Sequence, residues 1–506
     1  MSTPRYGGVF GAATGLTNAG TPLPRRAARV KTVVERGVAG QPDAMEDPTA
    51  TERPPADRPD DAGTSGHDEN AENADEAGKP GRISRVLRSL GPGIVTGAAD
   101  DDPSGIATYA QAGAKYGSAL LWTVPLTLPL MIVVQEACER MTLATGDSFG
   151  ALIRKRFRRG TRTWVTVLVA ALLVSNTVNA AADLVAIGQG MQLLHAGPAP
   201  LWSLILGIVI GFVVVRGSFE WIARIFKWLC LVLFAYVAVL AVAHVDWGAV
   251  GAGLLGTGFR WDTGYLALVA AVLGTTISPY MFFWQSEERE EMLRKGAKGD
   301  DPPRLDERPP AKARRMLLLG RLDVITGMLF SVAIMFAIIV GSAATLGAHH
   351  KTVTSAAEAA KALQPIAGDY ASILFALGFI GSGMLAVPVL AASGSAGFAA
   401  LLDKPWSLDR PPHKAKTFYA LLLVSLVAAI VLALIGVDPI SLLVVAAVIN
   451  AIAAGPFVIV LMLVTGSRQL MGEHRNGPLA RTLGWATAVI MCIAGAFGIY
   501  ALVTGS

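Results

Sequence analysis

The sequence predicts an all-α polytopic membrane protein built from two five-helix halves that cross the bilayer in opposite orientations. Three observations predict this fold class. Of the 506 residues, 53% are hydrophobic and only 16% are charged, whereas about 25% of the residues in a soluble domain are charged. About eleven apolar segments have a length that suits a membrane span. Two of them, the first and the sixth, are interrupted by proline.

Residues 1–82 precede the first span and are polar. The run from Gln41 to Lys79 is rich in Pro, Gly, Asp and Glu, and such a composition cannot bury enough apolar surface to fold alone. No apolar segment near Met1 has the pattern of a cleaved signal peptide. We therefore expect residues 1–82 to form a disordered cytoplasmic tail and residues 83–506 to form the transmembrane domain.

The predicted spans follow one another with short polar loops between them. The fourth is short for a crossing and would need a thin or well-covered position in the membrane. The expected limits are 89–113, 118–144, 163–193, 201–216, 222–243, 264–291, 316–346, 371–400, 417–436, 439–465 and 482–503.

The loops between these spans differ in basic charge, and this predicts the orientation. If the N-terminus is inside, the outside loops contain only Lys115, Arg260, Lys351 and Lys361, and the remaining Lys and Arg of the loops lie inside. Cytoplasmic loops of membrane proteins carry such an excess of positive charge. We expect insertion in the cell membrane with the N-terminus in the cytoplasm and the C-terminus outside.

The two interrupted spans carry the strongest functional signal. The first contains Gly97-Ala98-Ala99-Asp100-Asp101-Asp102-Pro103-Ser104-Gly105, and the sixth contains Gly274-Thr275-Thr276-Ile277-Ser278-Pro279-Tyr280-Met281. Unwound backbone is tolerated at membrane depth only where it is buried in protein or lines a cavity, and paired broken helices mark transporter binding sites. An offset of five spans predicts one repeat at about 89–243, a second at about 264–465 and an extra helix at about 482–503.

The residues at these breaks predict a cation site. A carboxylate near the bilayer centre is costly and is functional by default, which singles out Asp102 and, less directly, Asp101. Thr275, Ser278 and Tyr280 offer hydroxyl groups across from it. Such oxygen donors suit hard divalent ions. Asn450, beside a Gly-Pro kink in the tenth span, is a further candidate, with a helix-packing role as the alternative.

Several other function classes receive no support. The basic residues lie in membrane loops rather than in a nucleic-acid-binding patch. The three cysteines share no short spacing that would indicate a disulfide framework or a zinc site. Sequence signatures of metalloproteases, serine hydrolases and phosphate-binding loops are absent. We therefore expect no catalytic residues and no cofactor, and the expected partners are divalent metal ions and the lipid bilayer, with no obligatory protein partner evident.

Several motifs resemble those of the NRAMP family of divalent-metal transporters over about residues 89–503. Gly91-Pro92-Gly93 leading to Asp102-Pro103 resembles the family's first helix, and Gln135, Arg140 and Ala144-Thr145-Gly146 resemble the end of its second. The sixth-span break at Ser278-Pro279-Tyr280 lies where the family has Met-Pro-His-Asn. The resemblance implies a LeuT-like fold with helices 1 and 6 broken, alternating access, and transport of Mn²⁺ or Fe²⁺, commonly with protons.

Two departures from the family pattern favour a different substrate. Gly105 replaces the ligand Asn of the family's Asp-Pro-Gly-Asn, and Ser278 replaces its metal-binding Met. Without the thioether of Met, the site loses a ligand that favours soft ions over hard ones. Without the side chain of Asn, we expect a roomier pocket, which suits an ion such as Mg²⁺ that keeps several of its waters. These substitutions resemble the NRAMP-related magnesium transporter branch, so we expect transport of Mg²⁺, Mn²⁺ or both.

Proton coupling is expected to be weak or absent. The family's histidine in the second half of helix 6 falls at Gln285, and of the acid pair on its third helix only Asp183 is found here. The alternatives are a proton-coupled Mn²⁺ or Fe²⁺ importer and, less favoured, a Na⁺-coupled organic-solute carrier, since three adjacent aspartates repel an anionic substrate. A metal-responsive receptor would have to signal through the N-terminal tail.

Other charged and polar groups are expected to have ordinary roles. The run Glu287-Glu288-Arg289-Glu290-Glu291 is expected to form a solvated helix face, with a cation-concentrating vestibule as the second interpretation. Glu139 is expected to carry interfacial charge at the inner end of span 2. Asn179 on span 3 is expected either to face the ion pathway or to make an interhelical hydrogen bond.

Overall fold

A computed structural model describes residues 96–504, except 98, 217–233, 296–301, 303, 348–357, 359, 361–367, 369–370 and 437–438. The predicted tail, the first part of span 1 and most of span 5 lie outside these residues. The helices that bear on the site, or on the membrane crossing, are numbered in chain order. They are α1 Pro103–Tyr116, α2 Thr123–Thr145, α3 Phe149–Arg156, α4 Arg159–Leu193, α5 Ala199–Val215, α6 Phe234–Val242, α7 Trp247–Leu254, α8 Thr263–Thr276, α9 Pro279–Lys295, α10 Pro310–Thr345, α11 Ala371–Leu401, α12 Lys416–Leu434, α13 Pro439–Thr465, α14 Arg468–Met471 and α15 Pro478–Thr504.

The described helices account for the predicted spans in three ways. Seven helical segments within the described ranges are long and apolar enough to cross a membrane, and they coincide with predicted spans 3 and 6–11. Spans 1 and 2 appear as a pair of helical segments, Pro103–Leu120 and Thr123–Thr145, and the chain bends by 110° between them. Span 4 is α5, a shorter apolar helix of 17 residues. The chain is a multi-pass integral membrane protein.

Both predicted helix breaks are present. In span 1 the helical residues Ala99 and Asp100 are followed by non-helical Asp101 and Asp102, and α1 then begins at Pro103. In span 6, α8 ends at Thr276 and α9 begins at Pro279. Each helix restarts at proline, whose fixed φ and missing N–H suit the first position of a helix.

Glycines bring the broken helices against their neighbours at backbone contact. A Cβ atom built on Gly113 of α1 would overlap the Ile339 carbonyl oxygen of α10, and one built on Gly274 of α8 would overlap the Ala447 carbonyl oxygen of α13. Small residues allow this close approach, and it supplies much of the packing energy between membrane helices. The positions of α1 and α8 are therefore fixed by backbone contact with α10 and α13.

The charged run at residues 287–291, at the end of span 6, is less exposed to solvent than its sequence predicts. Glu287 and Glu290 are only 2% and 4% exposed, because this face of α9 packs against α11 and the segment around Ser148. The expectation of a solvated helix face was wrong for these two residues. Tertiary packing of the end of span 6 covers a face that its charge alone predicts to be in water.

Replacing Gly274 tests this close packing. Gly274→Ala should destabilise the protein by about 1–3 kcal/mol, because the new methyl group overlaps the α13 backbone and one of the helices must shift. Gly251→Ala in α7 is the matched control, since no atom lies within 4 Å of the point that the added methyl group would occupy. It should be neutral or stabilising by up to about 1 kcal/mol. Thermal unfolding of the purified proteins in detergent measures both effects, and equal melting temperatures would contradict the packing account.

Candidate metal site

The carboxylate of Asp102 is the centre of the candidate site. Asp102 is the N-cap of α1, with extended backbone angles, and its Oδ1 accepts hydrogen bonds from the Gly105 N–H at 2.8 Å and the Ser104 hydroxyl at 2.6 Å. Its Oδ2 accepts one from Asn179 Nδ2 of α4 at 3.3 Å. The side chain is 1% exposed. The contacts therefore hold a carboxylate in one orientation while it is shielded from water.

Span 6 reaches this carboxylate through Thr275. The hydroxyl oxygens of Thr275 and Ser104 are 3.3 Å apart, so the second break contacts the group that hydrogen-bonds Asp102. Gly105 lies at the same contact. A Cβ atom on Gly105 would be 3.4 Å from Thr275 Oγ1 and 3.3 Å from the Asp100 carbonyl oxygen. The structure thus brings Asp102, Gly105 and Thr275 together, as the sequence predicts.

The space beside Gly105 is smaller than expected. Thr275, the Asp100 carbonyl and the Tyr109 ring occupy the direction in which a side chain would extend. In this conformation the position of a Cβ atom on Gly105 is already in contact with all three groups, at 3.3–3.4 Å.

Ser278 stabilises the end of α8. Its hydroxyl lies 2.7 Å from the Gly274 carbonyl oxygen and 2.9 Å from that of Thr275. The residue four positions after Thr275 is Pro279, which has no N–H to donate. The Ser278 hydroxyl supplies the donor that the interrupted helix lacks, while its oxygen keeps lone pairs for another ligand.

Tyr280 links the two breaks directly. Its hydroxyl donates to the Ala99 carbonyl oxygen at 3.1 Å. The residue four positions after Ala99 is Pro103, so this carbonyl has also lost its helical donor. The phenol of one broken span therefore completes the hydrogen bonding of the other, and Tyr280 has a structural contact in addition to any role as a ligand.

Asp100 and Asp101 face α10 rather than Asp102. Ser331 Oγ is within hydrogen-bond distance of Asp100 Oδ2 and 3.4 Å from Asp101 Oδ1. A hydroxyl has one hydrogen and cannot donate fully to both carboxylates. Both acids are 0% exposed. The contact described for Asp101 is therefore with Ser331 of span 7 and not with the groups that hydrogen-bond Asp102.

Asn450 contacts span 3. Its Oδ1 accepts a hydrogen bond from Ser175 of α4 at 3.0 Å, and the side chain is 1% exposed. This contact is the helix-packing role that the sequence leaves open. Its part in binding an ion stays a prediction.

Four residues near the site have weak or no sequence signals. Asn179 contacts Asp102 directly, which matches the pathway-facing interpretation of this residue. Ser104 and Ser331 also hydrogen-bond the aspartates, and Ser331 is one of two serines in the apolar helix α10. Asp183 of α4 is buried, and neither of its carboxylate oxygens has a hydrogen-bond partner in the described part of the chain. These contacts depend on the packing of spans 3 and 7 against the first break.

The oxygen-rich character of the site distinguishes it from a histidine or thiolate centre. Within the described ranges, no group of three or more His, Cys, Asp or Glu side chains is arranged to hold a metal ion. The donors around Asp102 are hydroxyl, amide and backbone groups. Of these groups, the carboxylate and hydroxyl oxygens are ligands of the kind that hard divalent ions prefer, whereas the N–H groups of Gly105 and Asn179 point to Asp102 and cannot ligate a metal.

A buried polar network closes the predicted cytoplasmic side. Gln285 of α9 accepts a hydrogen bond from Thr96 at 2.6 Å and donates to Glu139 of α2 at 3.0 Å. Arg289 lies 2.6 Å from Glu139 and 3.7 Å from Asp323 of α10. Glu139 is 2% exposed. The expectation of ordinary interfacial charge was wrong for Glu139, because α9 and α10 cover it and supply its partner.

Aromatic residues close the opposite side. The Trp122 indole donates to the Tyr265 hydroxyl at 2.8 Å, and Tyr265 donates to the Ala119 carbonyl at 2.8 Å. Tyr116 donates to Asp262, the N-cap of α8, at 3.1 Å. Between these two groups of contacts, Asp102 is 1% exposed.

The chain is similar to known membrane transporters along most of its length. The profile of the family described as natural resistance-associated macrophage protein-like (Nramp) matches residues 93–501. The divalent metal cation transporter MntH of Deinococcus radiodurans is 27% identical over 429 residues, which cover 83% of this chain and 91% of the relative.

Two solved structures have a similar fold. A manganese transporter of Eremococcus coleocola superposes with a TM-score of 0.65 at 16% identity, over 82% of this chain and 87% of the other. A transporter of the nucleobase-cation-symport-1 family gives 0.52 at 14% identity, over 82% and 91%. At these identities the likeness concerns the fold alone. It confirms the prediction of an all-α, LeuT-like membrane protein.

Removing the Tyr280 hydroxyl tests the link between the breaks. Tyr280→Phe leaves the buried Ala99 carbonyl without this donor and should cost about 1–3 kcal/mol of stability. Tyr236→Phe is the matched control, because the Tyr236 hydroxyl is buried without a hydrogen-bond partner in the described part of the chain. That variant should be neutral or stabilising. Chemical unfolding in detergent compares the two, and an equal or larger loss for Tyr236→Phe would argue against the link.

Proposed function

The chain belongs to the Nramp family, and we propose that it carries the divalent cations Mg²⁺ and Mn²⁺ across the membrane by alternating access. Members of this family are transporters rather than enzymes. The observation that carries the proposal is the oriented, buried carboxylate of Asp102 at the contact between the two helix breaks. Relatives named as divalent metal cation transporters support the broader class of substrate.

The charge of the site favours a cationic substrate. Asp100, Asp101 and Asp102 are all at most 1% exposed, and no ion pair joins any of them to a Lys, Arg or His in the described residues. Burying unpaired carboxylates costs several kcal/mol each. A divalent cation at Asp102 would offset part of this cost, whereas an anionic solute would increase it.

The donor set favours a hard ion over a soft one. Ser278 offers a hydroxyl where the resembling family motif has a thioether, and Ser104, Thr275 and Asn179 add further oxygen donors. Soft ions such as Cd²⁺ gain from sulfur ligands, and Mg²⁺ does not. We therefore place the chain with the NRAMP-related magnesium transporters, and transport of Mg²⁺ and Mn²⁺ together is the proposed specificity.

The polar groups around Gln285 favour transport without strong proton coupling. At the position of the family's histidine, Gln285 bridges Thr96 and Glu139 with a neutral amide, and an amide does not titrate. Asp183 remains as one acidic residue on span 3. The alternative is a proton-coupled importer of Mn²⁺ or Fe²⁺, and the names of the relatives support manganese as a substrate without bearing on the coupling. A measurement of proton movement separates the two.

We further propose that the protein is inserted in the cell membrane with a cytoplasmic N-terminus and an outer C-terminus. The support is the charge of the loops, because the segments around α3, α9 to α10, α12 and α14 contain most of the Lys and Arg residues. Positive residues near span ends are retained on the cytoplasmic side. The network of Gln285, Glu139 and Arg289 would then lie on the cytoplasmic side of the site.

Removing the charge of Asp102 tests the proposed metal site. Asp102→Asn keeps the size and an acceptor for the Gly105 N–H but removes the charge, so uptake of Mg²⁺ and Mn²⁺ should fall about thirtyfold or more. The matched control is Asp246→Asn, which alters an aspartate N-cap in the same way at the exposed start of α7. Metal-sensitive dyes inside proteoliposomes measure the flux. Wild-type flux in a well-folded Asp102→Asn protein would exclude the proposed site.

Selectivity is tested at Ser278. Ser278→Met should raise the uptake of Cd²⁺ relative to Mg²⁺, because the thioether adds a soft donor. Ser278→Leu has a similar size and also lacks the hydroxyl, so it controls for the loss of the cap on α8. Competition between the two ions in the same vesicles gives the ratio. An unchanged ratio, or the same shift with Leu, would count against Ser278 facing the ion.

Proton coupling is tested in the same vesicles with a pH-sensitive dye in the lumen. We expect metal entry without acidification beyond that of protein-free vesicles, because Gln285 cannot carry a proton. Gln285→His is the informative comparison, since it restores a titratable group at this position. Acidification that scales with metal uptake in the wild type would show that the importer alternative is correct.

A further inference from the structure

A cavity of about 700 Å³ lies outside the candidate metal site, between α2, α10 and the start of α15. Its volume is in the range of small-molecule pockets, about 300–1,000 Å³. It opens at the surface of the protein near the loop that precedes α15. The proposed transport mechanism makes no use of it.

The lining of this cavity changes character along α2. Pro129, Ile132 and Val133 form apolar wall, and Glu136 and Arg140 follow toward the predicted cytoplasmic end. Pro129 and Arg140 are 11 residue steps apart on α2, which is about 16 Å at the rise of an α-helix. Ile325 of α10 and Leu483 of α15 extend the apolar wall. The lining is therefore apolar toward the middle of span 2 and charged toward its predicted cytoplasmic end.

The charged end of the cavity has an excess of arginine. Arg140 and Arg321 both pair with the single carboxylate of Glu136, each at 3.1 Å. Arg140 also donates to the His474 carbonyl and to the Asn476 side chain. One carboxylate between two guanidinium groups leaves a net positive charge. Glu136 therefore does not neutralise this end of the cavity.

Two of the arginines are available to a ligand. The Arg321 side chain is 57% exposed, and Arg475 is exposed at the mouth. Glu473 is the other acid of the lining, so three arginines are present against two glutamates. The first turns of α10 add Lys312, Arg314 and Arg315 with no acidic residue among them. Arg314 precedes Arg321 by two helical turns and so shares its face.

From this arrangement we infer that the cavity binds an anionic phospholipid. One acyl chain lies along the apolar wall formed by α2, α10 and α15, and the phosphate group contacts Arg321 and Arg475. Basic pockets between membrane helices are suited to anionic headgroups, and guanidinium groups bind phosphate oxygens in a bidentate manner. A free phosphate ion would leave the apolar wall empty. A zwitterionic lipid would place the positive charge of its own headgroup near the arginines.

The bound lipid would join three helices that meet at this point. Arg321 belongs to α10, Arg140 to α2, and Arg475 to the loop before α15. Anionic lipid should therefore stabilise the attachment of α15 to the rest of the bundle. This effect is independent of the proposed metal specificity, so the inference stands or falls separately from it.

The test uses the purified full-length protein, delipidated in detergent. Phosphatidylglycerol and phosphatidylcholine with identical acyl chains are added in turn, and native mass spectrometry and thermal unfolding report binding and stabilisation. We expect phosphatidylglycerol to bind more tightly and to raise the melting temperature further. Equal effects of the two lipids, or equal stabilisation by inorganic phosphate alone, would overturn the inference.

Variants locate the binding. Arg321→Gln and Arg475→Gln should each weaken phosphatidylglycerol binding by about fivefold, as expected for loss of one basic residue near an anionic headgroup. Ala480→Trp should weaken it by filling the cavity while leaving every charge in place. Arg158→Gln, an exposed arginine before α4 and outside the cavity, is the matched control. If the control loses as much affinity as the cavity variants, or if Ala480→Trp retains full affinity, the lipid binds elsewhere.

Discussion

A proline inside a membrane helix removes the N–H that the carbonyl group four residues earlier would accept, and a buried carbonyl has no water to replace it. This constraint applies twice in the chain, at Ala99 because of Pro103 and at Thr275 because of Pro279. Side-chain hydroxyls take the place of the missing donors. Tyr280 donates to the first carbonyl across the two spans, and Ser278 shares its one hydrogen between the carbonyls of Gly274 and Thr275 within span 6. The break in span 1 therefore depends on the packing of span 6 against it, and this packing brings Thr275 to the residues that hold Asp102.

The sequence predicts those features of the site that depend on local chemistry. Proline positions, span lengths and the cost of a buried carboxylate are properties of short segments, so the two breaks can be inferred from them, and they single out Asp102 as the candidate ligand. Ser331 lies beside Asp100, and Ser175 lies beside Asn450. A serine of this kind has no pattern that identifies its partner, because the contact depends on how distant helices pack.

Charge was the least reliable guide to exposure. Three glutamates lie in segments whose composition is typical of a solvated helix end, yet each is less than 5% exposed: Glu139, Glu287 and Glu290. Glu139 is compensated by Arg289, and Glu290 by Arg294. A run of charged residues indicates exposure to solvent only when no other helix covers it. In this chain α9 continues beyond the apolar part of span 6 and remains covered by its neighbours.

The glycine contacts of α1 and α8 have a consequence for how the protein can move. Backbone atoms that already touch cannot slide past one another by part of a turn without a collision. We therefore expect α1 to move with α10, and α8 to move with α13, if the site opens. The non-helical residues Asp101–Asp102 and Ile277–Ser278 interrupt spans 1 and 6, so a change of angle between half-helices would be taken up beside the carboxylate of Asp102.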